Sequence, residues 1–234
     1  MKPDLFVVLL AGVVHAMLQL GIGTLLILYH ASLGKHVSLR TRALVTNYIF
    51  GNALLTGLSV SAVGFIIYII CQGEMNPAML TIVVGVLVAL ALSVWAFYYR
   101  RGKSTELWLP KSVARYINKR ANVTESNTEA FGLGMLACFA EAPFTIILIM
   151  VAGNSIIALP QALQILAIAI YTILSVLPLL VMRIVVRKGK TIVDVQKWRI
   201  KNKNFLRVLA GIGFLVLAAF LLAFKILKAA WYVI

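Results

Sequence analysis

The sequence predicts an all-α polytopic membrane protein, with six transmembrane helices arranged as two inverted three-helix halves and with both termini outside. Composition is the first observation behind this prediction, because hydrophobic residues make up 62% of the chain and charged residues only 12%. Soluble proteins contain roughly 45–50% apolar residues. The other two observations are six long apolar runs and the confinement of basic residues to alternate connections between them.

Each apolar run is long enough to cross a bilayer, which takes about 20 residues of α-helix. Helices are predicted because the runs lack the alternation of barrel strands, and only helices and closed barrels satisfy the backbone within lipid. The first run is too long for a signal-peptide core and no small-residue cleavage site follows it, so we count it as a span. The predicted spans are residues 4–29, 43–70, 78–99, 130–152, 160–182 and 205–228.

The basic residues set the expected orientation. Of the 22 Lys and Arg residues, 18 lie in the first, third and fifth connections, whereas the connections at 71–77 and 153–159 contain none. An excess of cations is typical of cytoplasmic loops, so these three connections are placed inside and both termini outside. Topology therefore accounts for the net charge of +15, and no nucleic-acid partner is expected.

The six predicted spans divide into two halves of opposite orientation. Residues 1–99 form the first three-helix repeat, residues 100–129 a basic cytoplasmic loop, and residues 130–234 the second repeat. Inverted repeats of this kind are common in secondary transporters, where the binding site lies near the bilayer midplane. A transport protein of a prokaryotic cytoplasmic membrane is the class that this organisation favours.

A short internal similarity supports the two halves. QLGIGTLLIL in the first span aligns with EAPFTIILI in the fourth with one gap, which pairs Gln19 with Glu141. The same alignment pairs Thr24 with Thr145. In each copy a helix-weakening element follows the polar residue, and together with a proline of the fifth span these elements are predicted to act as hinges: Gly21, Gly23, Pro143 and Pro178.

Polar residues of three different spans are expected at the same depth. Glu141 and His15 each lie 11 residues into their spans, which is about 16 Å at 1.5 Å per residue and hence near the middle of ~30 Å of hydrocarbon. Asn52 lies nine residues into the second span, close to that level. A charge there costs roughly 2.5–3.5 kcal/mol, so a carboxylate at this depth indicates a functional site.

We therefore predict a substrate or ion site around Glu141, lined by His15, Gln19, Asn52 and Thr145. Gln19 follows His15 by four residues and so shares its helix face. A purely structural role for Glu141, as a hydrogen bond between helices, is left open. The sequence offers no catalytic constellation, metal-ligand spacing or cofactor motif, and neither an enzyme nor a bound cofactor is expected.

Four segments carry a resemblance to a known superfamily. RALVTNYIFGNALLTG (42–57), GMLACFAEAPFTIILIMVAG (134–153), YTILSVLPLLVM (171–182) and the segment RVLAGIGFLVLAAFLL (207–222) follow one another in the order of its second, fourth, fifth and sixth spans. They resemble the superfamily that joins LysE-type exporters to CcdA/DsbD-type thiol–disulfide electron carriers. The resemblance implies six spans, and it implies either solute export or electron transfer as the function.

The cysteines depart from the electron-carrier pattern. The carriers pair one cysteine of the first span with one of the fourth, but this first span has none. In the fourth span the matching position is Phe139, and Cys138 is one residue away from it. Cys71, at the end of the second span, is the other cysteine of the chain. A buried cysteine in an apolar helix usually acts as a small hydrophobe.

The leading hypothesis is thus a LysE-like transporter or exporter of a small solute or ion. A divergent electron carrier that uses Cys138 and Cys71, and a non-transporting subunit of a membrane assembly, are the alternatives. The expected partners are the bilayer, the transported solute and anionic lipid headgroups, since the basic connections mix cations with aromatic residues. A solvated loop whose basic residues only set topology is the alternative for these connections. Association with a second copy of the chain is left open.

Overall fold

The computed structural model describes residues 3–19, 25, 39–97, 111–187, 197–198 and 201–227. These residues form helices, and no strand occurs among them. The helices are α1 (Pro3–Met17), α2 (Leu39–Cys71), α3 (Pro77–Phe97), α4 (Lys111–Val123), α5 (Asn127–Ile157), α6 (Gln161–Arg187) and α7 (Lys203–Leu221), with a π-helix at Leu222–Leu227 continuing from α7.

Five helices are long and apolar enough to cross a membrane, namely α2, α3, α5, α6 and α7 with its π-helical extension. The all-helical prediction is confirmed, and five such helices are what a multi-pass membrane protein requires. The described part of the predicted first span is shorter, because α1 has 15 residues. Leu25, further along that predicted span, is helical and fully buried.

The predicted loop at 100–129 needs a correction, since its second part is helical. Ile117 and Ala121 of α4 are buried while their neighbours Tyr116 and Lys119 are exposed, so α4 is an amphipathic helix that packs one face on the bundle. The i, i+4 spacing of the two buried residues was the signal for this helix, and the high density of cations obscured it.

The fourth predicted span begins at Asn127, three residues earlier than expected, because a capping box fixes its start. The Ser126 hydroxyl accepts a hydrogen bond from the Glu129 backbone N–H at 3.2 Å. The Glu129 carboxylate in turn accepts from the Ser126 backbone N–H at 3.3 Å. This reciprocal arrangement satisfies two of the free N–H groups at a helix start.

Helices α2 and α5 run parallel and make the most extensive contact of the fold. The two backbones touch where the third and fourth turns of α2 meet the second turn of α5, since a Cβ added at Gly134 would overlap the carbonyl oxygen of Tyr48 and one at Gly51 would overlap that of Phe131. Further along, Gly153 lies against Gly64. Small residues that let backbones approach closely are the usual basis of helix packing in membranes.

Most contacts of the remaining helices join one predicted half of the chain to the other. Helix α1 packs against α5, α6 and α7, helix α2 also contacts α6, and α3 packs mainly against α7. Helices of the first half therefore find most of their partners in the second half. This arrangement brings α1, α2, α5 and α6 around a common centre.

The two ends of the bundle are marked by different charged residues. At one end, here called the Arg40 end, the Arg40 guanidinium donates to the Glu125 carbonyl oxygen at 3.0 Å and pairs with its carboxylate at 3.3 Å. At the other, the Asp4 end, the Lys225 ammonium contacts the carboxylates of Asp4 and Glu74. Because α2 and α5 start at the Arg40 end, their last residues lie at the Asp4 end.

Candidate functional site

The apolar core is divided into two separate clusters along the bundle. On α1, α2 and α5 the larger cluster lies towards the Asp4 end and includes Val7 and Val60, whereas on α3 and α7 it continues along the bundle to Val94 and Ala210. The smaller cluster lies towards the Arg40 end and includes Leu44 of α2 and Leu179 of α6. Leu25 belongs to the smaller cluster. Buried polar side chains fill the level between the two.

On α2 and α5 the sequence of buried residues shows this break directly. Between Ile49 of the smaller cluster and Val60 of the larger one, every buried residue of α2 is glycine or polar. Between Ala137 and Ile147 on α5 the buried residues are a thiol, a carboxylate and a hydroxyl. We name this level the polar layer, and its members are His15, Gln19, Asn52, Thr56, Cys138, Glu141, Thr145, Tyr171 and Ser175.

Glu141 lies in the layer, with 2% of its surface exposed. Cys138 precedes it by three positions on α5 and therefore shares its helix face. The Thr145 hydroxyl donates to the Glu141 backbone carbonyl at 3.2 Å. Thr145 therefore lies beside Glu141 on α5, but its hydroxyl proton is used in a hydrogen bond within its own helix.

Gln19 lies two residues past the end of α1, so the prediction that it shares a helix face with His15 is wrong. Together with Asn52 it forms a chain of hydrogen bonds from the end of α1 to α5. The Gln19 amide N–H donates to the Asn52 side-chain oxygen at 3.2 Å, and the Asn52 amide donates to the Gly134 carbonyl at 3.4 Å. The side-chain oxygen of Gln19 is buried and has no hydrogen-bond partner among the described residues. A buried acceptor in this state is available to a donor or to a cation.

His15 is held by a residue that the sequence did not single out. Its Nδ1 lies 2.8 Å from the Tyr171 hydroxyl, and the two rings meet edge to face at a centroid distance of 5.7 Å. Both side chains are almost fully buried, at 1% and 0% exposure. The contact fixes the imidazole between α1 and α6 and adds a hydroxyl to the layer.

Two hydroxyl residues near Asn52 and Tyr171 were also missed. Thr56 donates to the Asn52 carbonyl at 2.9 Å and lies 3.3 Å from the Cys138 sulfur. Ser175 donates to the Thr172 carbonyl at 2.8 Å. Each follows a layer residue by four positions, so the i, i+4 pairs Asn52/Thr56 and Tyr171/Ser175 were a readable signal of one polar helix face.

The cysteines of the electron-transfer alternative lie far apart. Cys138 is buried beside Thr56, whereas Cys71 follows Thr56 by fifteen positions on α2 and lies beside the Met79 sulfur at 3.6 Å. That separation corresponds to about 22 Å along the helix, while a disulfide needs Cα atoms within about 7 Å. Both thiols are free, and this geometry does not allow them to pair within one chain.

The predicted hinge residues fall into two groups. Helix α5 continues through Pro143 and helix α6 continues through Pro178. Pro143 is on the exposed side of α5, so its ring does not line the polar layer. Gly21 and Gly23 lie outside the described residues.

The chemistry of the layer is that of a small polar site in an apolar bundle. It combines one carboxylate, one imidazole, two amides, hydroxyls and a thiol, and no Lys or Arg side chain of the described ranges is buried there. Within those ranges no three His, Cys, Asp or Glu residues are placed to hold a metal ion. Comparisons with protein-family models, curated proteins and solved structures find no match to this chain.

Proposed function

We propose that this chain is a membrane transporter of a small solute or ion, which it binds in the polar layer around Glu141. The observation that carries the proposal is the break in the core on α2 and α5, where buried polar side chains that include the Glu141 carboxylate separate the two apolar clusters. Polar groups within a bilayer are expensive and usually mark a substrate or ion pathway. Simple packing of six apolar helices would not need them.

The layer supplies the groups that such a site requires. Glu141 is the exchangeable charge, since a carboxylate can hold a proton or a cation in turn. Gln19 offers a buried side-chain oxygen with no partner in the described part of the chain. The Gln19–Asn52 and His15–Tyr171 hydrogen bonds hold the neighbouring groups in place. Positioned polar groups of this kind let the protein replace the hydration shell of an ion.

The inverted organisation of the two halves is part of the proposal, and the packing pattern supports it. Helix α1, first in its half, packs on α6, second in the other half. Helix α5, first in its half, packs on α2, second in the other, while the third helices α3 and α7 pack on each other. A two-fold axis relating the halves would generate this exchange of partners. Rocking of one half against the other would then expose the layer to each side alternately.

The six-span topology leads to a labelling prediction. In a variant without Cys71, a cysteine introduced at Asn76 should react with an impermeant thiol reagent from outside. Cysteines at Lys103 and Lys190 should react only after the reagent reaches the cytoplasm, because basic connections stay inside. Labelling of Asn76→Cys and Lys103→Cys from the same face would contradict the topology, since one span cannot return the chain to its starting side.

Helix α4 is proposed to contact anionic lipid headgroups at the Arg40 end. Its buried residues pack on the bundle, while Tyr116 is 54% exposed beside the exposed cations Lys119 and Arg120. An aromatic ring among cations suits the headgroup region of an anionic membrane surface. The cytoplasmic position of this end follows from the same topology.

Removal of the α4 cations should weaken lipid binding by about 1 kcal/mol for each charge. The measurement is the retention of an anionic lipid by the purified full chain, for wild type and for Lys119→Gln/Arg120→Gln, with a zwitterionic lipid as control. Retention should also fall as salt rises, because the attraction decays within a Debye length. Equal retention of both lipids by both proteins would count against the contact.

The transport proposal is tested by gradient-driven flux in vesicles that carry either the wild-type chain or Glu141→Gln. Loss of flux in the folded variant supports it. Unchanged flux would leave Glu141 as a structural group and would favour a non-transporting role for the bundle.

A further inference from the structure

Three charged residues from three elements meet at the Asp4 end. Lys225 contacts Asp4 in the first turn of α1 and lies 2.8 Å from the Glu74 carboxylate in the connection between α2 and α3. The Lys225 and Asp4 side chains are each only 15% exposed, whereas Glu74 is 47% exposed. This cluster, here called the charge clasp, therefore ties the last helix of the chain to the first helix and to a turn.

The elements that hold the clasp depart from regular α-helix. Lys225 lies in the π-helix Leu222–Leu227, and such segments occur frequently at functional sites. Glu74 follows Gln72 and Gly73, which have φ values of 54° and 135°. The positive φ at Gln72 is uncommon for a residue other than glycine. Lys225 and Glu74 therefore both lie on irregular backbone, which can change conformation without disrupting a long α-helix.

An aromatic column continues the same contact between α1 and the end of α7. The rings of Phe6 and Phe220 lie 4.7 Å apart, and those of Phe220 and Phe224 are stacked at 4.4 Å. Phe6 is two residues from Asp4, and Phe224 precedes Lys225. Deeper along this interface, Gly213 of α7 lies against Val14 of α1. His15, the residue after Val14, is the first member of the polar layer along α1.

We propose that the charge clasp is the gate that closes the Asp4 end of the route to the polar layer. The inference rests on the proposed function, because a gate has meaning only if the layer is reached from both ends in turn. With the clasp made, α1 and α7 stay together and the larger apolar cluster seals the layer. Separation of Lys225 from the two carboxylates would free α1 and the α2–α3 turn to move apart.

The Arg40–Glu125 pair provides a matched control at the opposite end. Its side chains are 65% and 81% exposed, so water screens the pair and its loss has little effect. The clasp is more deeply buried, and removing one partner of a buried pair leaves an uncompensated charge. Loss of Lys225 would leave two carboxylates without their shared cation.

Cys138 is a native reporter for the gate, since its thiol lies in the polar layer with 7% exposure. In a Cys71→Ser background reconstituted into vesicles, a charged, membrane-impermeant methanethiosulfonate is added to one face at a time. The accessible face is identified with an Asn76→Cys marker. Lys225→Met should raise the rate of Cys138 labelling from the Asp4 side about tenfold, which corresponds to about 1.4 kcal/mol. Arg40→Met should change that rate by less than about threefold.

In a Glu74→Gln background, which removes the carboxylate that would repel the new aspartate, the exchange Asp4→Lys/Lys225→Asp should give a lower labelling rate than Lys225→Met, because it restores an opposite-charge pair. Should Lys225→Met fail to fold, Glu74→Gln tests the same contact from its more exposed side. An unchanged rate in a folded clasp variant, or an equal rise from both faces, would overturn the gate. The readout is independent of flux. Faster labelling in Lys225→Met with normal flux in Glu141→Gln would therefore keep the gate and reject the transport site.

Discussion

Glu141→Gln should abolish gradient-driven flux while leaving the protein folded and inserted. Glutamine keeps the shape of the side chain and much of its hydrogen bonding, but it cannot exchange a proton or balance a cation. The side chain is buried in the polar layer, where holding a charge is costly, so a neutral amide of the same shape should not lower stability. Flux in vesicles with an imposed pH gradient should fall to that of protein-free vesicles, and the thermal unfolding midpoint should not decrease.

Glu129→Gln is the matched control for this experiment. It makes the same chemical change on the same helix, but at the exposed first turn of α5, where Glu129 completes the capping box. Glutamine also completes such a box, so both the helix start and flux should be preserved. Equal flux in wild type and Glu141→Gln at matched protein levels would contradict the assigned role of Glu141.

Gly134→Ala should destabilise the protein severely, because the added methyl group would overlap the carbonyl oxygen of Tyr48. A backbone carbonyl cannot move aside by changing rotamer, so α2 and α5 would have to separate. That separation would also stretch the hydrogen bond from Asn52 to the Gly134 carbonyl. Overpacking of this kind costs about 3 kcal/mol, the upper part of the usual range. The measurement is the unfolding midpoint of the purified protein in detergent.

Gly132→Ala, two residues away on the same helix, separates steric overlap from a general effect of replacing glycine. A Cβ at Gly132 would meet nothing within 4 Å. Alanine there should be neutral or should stabilise the helix by up to about 1 kcal/mol. Gly51→Ala should behave like Gly134→Ala, since it would overlap the Phe131 carbonyl. Similar midpoints for Gly132→Ala and Gly134→Ala would mean that the two helices do not approach so closely.

Much of the fold follows from hydropathy and much of the layer follows from depth. The predicted span 43–70 corresponds to Leu39–Cys71, because lipid-length apolar runs have few alternative structures. Glu141, His15 and Asn52 could be placed at one level because helical rise converts sequence position into depth. Burying a polar residue within a membrane costs free energy, so polar residues are rare in apolar spans. One that does occur there is therefore a strong signal of a functional site.

The partners of these residues could not be predicted from the sequence. His15 bonds to Tyr171, 156 positions away, and only the rotation of α1 against α6 decides that contact. The charge clasp joins Glu74 to a lysine 151 positions later, and the periodicity of apolar and polar residues does not predict such a contact. Thr145 is the opposite case, because its hydroxyl donates within its own helix to the Glu141 carbonyl four positions earlier, a contact that sequence spacing can predict. Depth is thus encoded locally, whereas register between helices depends on the packed structure.

The role of Glu141 as the exchangeable charge of the polar layer is tested most directly by asking whether its carboxyl group changes protonation state in exchange with the surrounding water. Infrared difference spectra between acidic and alkaline media, recorded on the reconstituted protein, detect carboxyl bands directly. If Glu141 titrates, a band should appear on acidification, shift in deuterated water, and be absent from Glu141→Gln but retained in Glu129→Gln. The same carboxyl spectrum in wild type and Glu141→Gln across the pH range in which the protein stays folded would contradict this role.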